Sequence, residues 1–182
     1  MLMKTIAFYI LAFAALTGKV LSQPNDALAK EKLKIFSRWT GHWKGEAFTQ
    51  MGPGEPKKSI VDERAELKLD GSIFVVEGIG KATDPATNQE VVVHHAYGIL
   101  SFDQKANEYK FKTYLKDGRG SDAWFKVIAE NNYQWGFDVP NGKIRYSINI
   151  DDQKKLWNEI GEYSADGNNW MKFFTMNLTK VD

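Results

Sequence analysis

The sequence contains no cysteine. That excludes disulfide staples, thiol chemistry and a lipid anchor on an N-terminal cysteine, so any fold rests on its core alone. Histidine is scarce, with His42, His94 and His95 the only three. None is spaced as His-x-His or His-x-x-x-His, and no carboxylate cluster accompanies them, so a metal site is not expected. Charge of one sign is also missing. Residues 1–22 carry Lys4 and Lys19 and no acid, which leaves 22 basic against 23 acidic residues beyond them. Without a basic face, nucleic acid is a poor partner. No nucleophile elbow, phosphate-binding glycine loop or zinc signature is present.

One long apolar run is present, and it is short for a bilayer. Residues 5–16 follow a charged start and precede Val20-Leu21-Ser22. This order reads as a secretory signal peptide cleaved after Ser22, because a spanning helix needs about 20 apolar residues. The expected product is a periplasmic or secreted protein with no membrane span, made of one domain over residues 23–182.

Beyond the leader, Asp26 can cap a short helix over residues 27–37, with Leu28, Leu33 and Phe36 on one side. After Thr40 the apolar period changes to two. Nine turn-like clusters then separate ten strands. An even number of strands lets the first and last pair antiparallel, so no edge is left open. The expected fold is therefore all-β: a closed ten-stranded antiparallel up-and-down barrel with a short N-terminal helix.

Two turns predict strand register. Asp70-Gly71 sets Leu67 against Phe74, Ala65 against Val76 and Glu63 against Gly78 on the apolar face, with Arg64 against Glu77 outside. Asn141-Gly142, read as a two-residue type I′ turn, sets Val139 against Ile144, Phe137 against Tyr146, Trp135 against Ile148 and Tyr133 against Ile150. Arg145 then meets Asp138 outside. In the last hairpin, Asp166-Gly167 would place Glu159 and Lys172 on the face of Trp157, Tyr163, Trp170 and Phe174; a longer loop would put both charges outside. Ile73, Val75 and Ile79 fall on the outer face, to be covered by the helix or a partner.

Glu63 shares the apolar face with a glycine, and a buried carboxyl must be paired or protonated. It is either a polar anchor or a hydrated group near the mouth. His94 and His95 point to opposite faces, and His95 shares its face with Tyr97. Either could be the inward one.

Thr40-Gly41-His42-Trp43-Lys44-Gly45 opens the first strand with Gly-x-Trp-x-Gly directly after a helix. This resembles the opening signature of the calycin superfamily, which includes lipocalins, fatty-acid-binding proteins and nitrobindin-like barrels. The resemblance implies that Trp43 plugs one barrel end and that a late basic residue, Lys180, packs over it. Ile99-Leu100-Ser101-Phe102-Asp103 with Tyr109 is similar to a motif of an uncharacterised bacterial lipocalin-like family. Two departures matter. Nitrobindin-like barrels hold haem through a late histidine, and none follows His95, so no cofactor is expected. Fatty-acid binders use Arg-x-Tyr, whereas Arg145-Tyr146 are adjacent.

The function expected is the binding of a small hydrophobic or aromatic ligand inside the barrel. Glu63, Phe74, His95, Tyr97, Trp135, Phe137, Tyr146 and Ile148 are the candidate contacts, with loops 52–58 and 117–121 at the rim. An isomerase or hydrolase using the same cavity is the first alternative. A ligand-free scaffold using Ile73, Val75 and Ile79 is the second, and a homodimer is possible.

Overall fold

The computed structural model describes residues 26–182; the leader and its cleavage point lie outside them. Ten strands follow one helix: β1 (Gly41–Thr49), β2 (Lys57–Lys68), β3 (Ile73–Thr83), β4 (Glu90–Asp103), β5 (Glu108–Leu115), β6 (Gly120–Ala129), β7 (Asn132–Val139), β8 (Gly142–Asp151), β9 (Leu156–Ser164) and β10 (Met171–Lys180). Each pairs antiparallel with its sequence neighbour, and β1 pairs with β10 to close the barrel. Closure satisfies both edges of the meander, as the even strand count predicts. No helix among the described residues is long and apolar enough to cross a membrane.

Helix α1 (Ala27–Leu33) runs into a single 3₁₀ turn, Lys34–Phe36. Asp26 does not cap it; its carboxylate pairs with Lys30 at 2.7 Å instead. The segment seals one end of the barrel. Leu33, Phe36 and Trp39 are buried, with Phe36 stacked on Phe74 at 5.3 Å and Trp39 on Tyr133 at 5.4 Å. Burying one such ring contributes about 2–3 kcal/mol. Tyr109 and Tyr133 donate their hydroxyls to the carbonyls of Lys32 and Ile35. The end of the segment is thereby tied to β5 and β7, since its last carbonyls lack helical partners.

Trp43 completes the seal. It is fully buried, and its indole N–H donates to the Trp39 carbonyl at 2.9 Å. Lys180 places its ammonium 5.4 Å from the Trp43 ring centre.

The β2–β3 register is the one that Asp70-Gly71 implies, including Glu63 against Gly78. The β7–β8 register differs. Val139 pairs with Gly142, Phe137 with Ile144, Trp135 with Tyr146 and Tyr133 with Ile148. The turn therefore centres on Pro140-Asn141. Proline has no N–H to give to a pair with Lys143, and its fixed φ suits the first central position of a turn. This slip of the turn by one residue moves each pairing by two, so every side chain keeps its face. Asp138 now opposes Lys143. Arg145 stays outside, but it pairs with Glu162 at 2.7 Å and lies 4.0 Å over Trp170.

The outer apolar residues are largely covered. Val75 is buried, and Ile73 and Ile79 are half-buried. That weakens the scaffold alternative, which needs them as a free contact patch.

Candidate ligand site in the barrel

Above the sealed end, the inner wall is aromatic. Trp135 and Tyr146 sit opposite each other on β7 and β8 with ring centres 4.3 Å apart and planes 12° from parallel. Phe111 meets Trp135 edge-on at 5.1 Å, and Phe174 meets Tyr146 at 5.9 Å. Phe137 lies 6.1 Å beyond Trp135, toward the mouth. Trp135, Phe137, Tyr146, Phe111 and Phe174 are all half-buried rather than buried. Phe74 and Ile148, lower down, are fully packed in the core.

Two carboxyls face this wall. Glu63 lies against Gly78: a Cβ there would sit 2.6 Å from the Glu63 carboxyl carbon, so a side chain at that position would displace the carboxyl. No described group donates a hydrogen bond to it. It is half-buried at an inward position in the middle of β2. Burial first, and then the charge of Glu159, push its pKa up to about 8. Glu159, on β9, is 7% exposed and accepts a hydrogen bond from the Trp135 indole at 3.2 Å. Burial pushes it up to about 7, against the opposing pull of the Trp135 and Trp157 N–H groups. The Trp157 N–H is buried without a partner of hydrogen-bonding geometry. Glu63 and Glu159 are the only acids on inward-facing strand positions among the described residues. Such shifted carboxyls in a recess mark candidate functional positions.

Glu159 faces inward with Trp157 and Gly161 by simple alternation along β9, but Lys172 does not share that face. β10 shifts register between Lys172 and Phe174, which separates the two: Lys172 pairs with Glu162 outside, while Phe174 turns in. The diagonal Glu159–Lys172 contact is therefore absent. No turn residue announces a bulge at this place, so spacing alone could not separate the two charges.

His95 and Tyr97 are not part of the wall. Both sit on the outer face, where His95 meets Glu77 at 3.0 Å; Glu77 takes this partner in place of Arg64. The cause is parity in β4: Leu100 packs in the core, so Gly98, Ala96 and His94 share its face. His94, opposite Gly80, is the inward histidine, exposed in the barrel mouth. Partial desolvation by the surrounding mouth and then the neighbouring His95 hold its pKa below the ordinary value. His42 pairs outside with Asp62 at 2.8 Å. No group of three or more His, Asp or Glu side chains able to hold a metal occurs among the described residues.

The surface also carries two grooves at the sealed end. The larger, about 480 Å³, is lined by Arg38, Glu130, Asn149 and their neighbours, and the smaller, about 350 Å³, by Ile35, Val127 and Tyr133 among others. The smaller one includes Tyr133, whose hydroxyl burial holds above its ordinary pKa; neither groove includes Glu63 or Glu159.

With this geometry in view, comparison with solved structures finds the S-type phycobiliprotein lyase CPES from Guillardia theta. The two share 9% identity and align over 88% of this chain and 99% of that one, with a TM-score of 0.55. The fold fits a calycin-type barrel. No family model matches the chain, and no curated protein matches it. At this identity the likeness concerns the fold alone.

Proposed function

We propose that this protein is an exported binding protein that holds a small hydrophobic or aromatic molecule in the upper half of its calycin-type barrel. The observation that carries this reading is the half-buried state of the aromatic wall. Trp135, Phe137, Tyr146 and Phe174 lie on inward strand positions above a sealed floor and are only half-buried. A one-ended apolar cup with few polar groups is the usual form of a small-molecule site: apolar burial supplies affinity and the polar groups fix orientation. Phe74 and Ile148 support the floor from below. The likeness to a phycobiliprotein lyase is in keeping with this reading at the level of fold.

Export rests on the charged start and short apolar run of the leader. N-terminal sequencing of the protein secreted by its host is expected to begin at Gln23.

The test of binding is a titration with Nile red, a neutral aromatic dye, followed by its emission and by tryptophan quenching. Saturable one-to-one binding is expected. Trp135→Ala should weaken it by about tenfold, a loss of roughly 1.4 kcal/mol, whereas Tyr97→Ala, on the outer face, should leave it unchanged. Absence of saturable binding, or equal sensitivity to both substitutions, contradicts the proposal.

A further inference from the structure

We propose that the molecule held in the barrel carries a basic nitrogen, bound as a cation between the Glu63 and Glu159 carboxylates with its apolar body against Trp135 and Tyr146. This inference rests on the binding reading above and narrows it to a ligand class.

The argument starts from charge placement. Glu63 and Glu159 reach the lumen from β2 and β9, and each lacks a cationic partner within the protein. Basic residues at inward strand positions, among those described, are Lys57 at the rim, His94 in the mouth and Lys180. Lys180 is committed to the Trp43 ring and crowds Gly41 at the sealed end. Other acids near the pair, Asp62 and Glu77, point outward and raise Glu63 further. Tyr146, beside Glu159, is kept neutral, because burial and then Glu159 push its pKa up. An enclosed pair of carboxyls with no counter-ion is costly, since a buried charge requires pairing or neutralisation.

A second observation points the same way. The Trp157 indole N–H, two residues before Glu159 on the same strand face, is turned toward the Glu159 carboxyl, while no described group donates to Glu63. Trp135 already donates to Glu159. The lower wall thus presents donors toward Glu159 and leaves acceptor capacity free on Glu63. A guest meeting that pattern brings donors and positive charge. An ammonium or amidinium group does so, and the adjacent ring faces of Trp135 and Tyr146 also favour a cation. A guest carboxylate would add a third negative charge.

Isothermal titration of the full mature protein near pH 7 tests this with three probes on one aromatic body: 1-naphthylmethylamine, 1-naphthylmethanol and 1-naphthoate. The amine is expected to bind at least about tenfold more tightly than the alcohol, and the naphthoate most weakly. Cation binding should also ionise the carboxyls, so heats measured in two buffers of different ionisation enthalpy should show net proton release for the amine and none for the alcohol. Glu63→Gln and Glu159→Gln should each reduce the ratio of amine to alcohol affinity, by at least about threefold. Equal binding of amine and alcohol, or a preference that survives both substitutions, overturns the cation proposal and leaves the binding reading standing. Failure of all three probes overturns both. Proton release by the unaltered protein decides the matter even if a variant does not fold.

Discussion

Glu63 and Glu159 set the behaviour of the site at the scale of single residues. In an unfolded chain both would titrate near 4.5; folded, they are pushed up to about 8 and about 7. The folded state therefore binds more protons than the unfolded state between those limits, and stability falls as pH rises. Full stability is present below about pH 4.5, is lost progressively up to about pH 8, and then levels off. Glu63→Gln should flatten this slope and raise stability at pH 8–9 by on the order of 1–3 kcal/mol, measured by urea unfolding across pH. A slope unchanged in the variant would show that the carboxyl is hydrated rather than enclosed. Gly78 gives a companion test. Its missing side chain is the space that the Glu63 carboxyl occupies, so Gly78→Ala should cost about 1–3 kcal/mol through overpacking, and Glu63→Ala in the same chain should recover most of it.

Residues such as Glu63 were legible because Asp70-Gly71 sets the register of a local hairpin, and register with period two decides inside from outside. Glu159 was legible only as one of two readings, because the last loop and a bulge in β10 decide which charges share a face, and no local residue marks that bulge. The histidine pair was open for a related reason: parity in β4 follows from Leu100 packing in the core, and that is a tertiary fact.

At the scale of elements, the N-terminal segment is the floor of the cup. Its aromatic side chains pack against Phe74, Tyr109, Phe125 and Tyr133 from four different strands. Phe36→Ala should therefore destabilise the protein by about 3–5 kcal/mol, seen as a lowered thermal midpoint, while Ile35→Ala, on the exposed side, should change it by less than about 1 kcal/mol. Comparable effects from both would mean that the segment does not seat in the barrel. The helix itself was legible from its period and from Gly-x-Trp-x-Gly after it. Its cap was not, since Asp26 has a competing partner in Lys30 one turn away. The β7–β8 turn carries a similar lesson. Asn-Gly is a strong hairpin signal, but the preceding proline removes a backbone donor that the Asn-Gly turn would use.

For the molecule as a whole, ten short strands, short turns and an even count imply closure, and closure is what the β1–β10 ladder supplies. What the lumen admits is set by how rings from five strands interlock, and no local pattern encodes that. The account turns on whether a guest occupies the space above Trp43 and Phe36. Native mass spectrometry of the mature protein purified from its own host measures this most directly. An added mass of one small molecule per chain, absent after mild denaturation and lost in Trp135→Ala, is the predicted result. A bare mass in both proteins, with no uptake of Nile red, would contradict it.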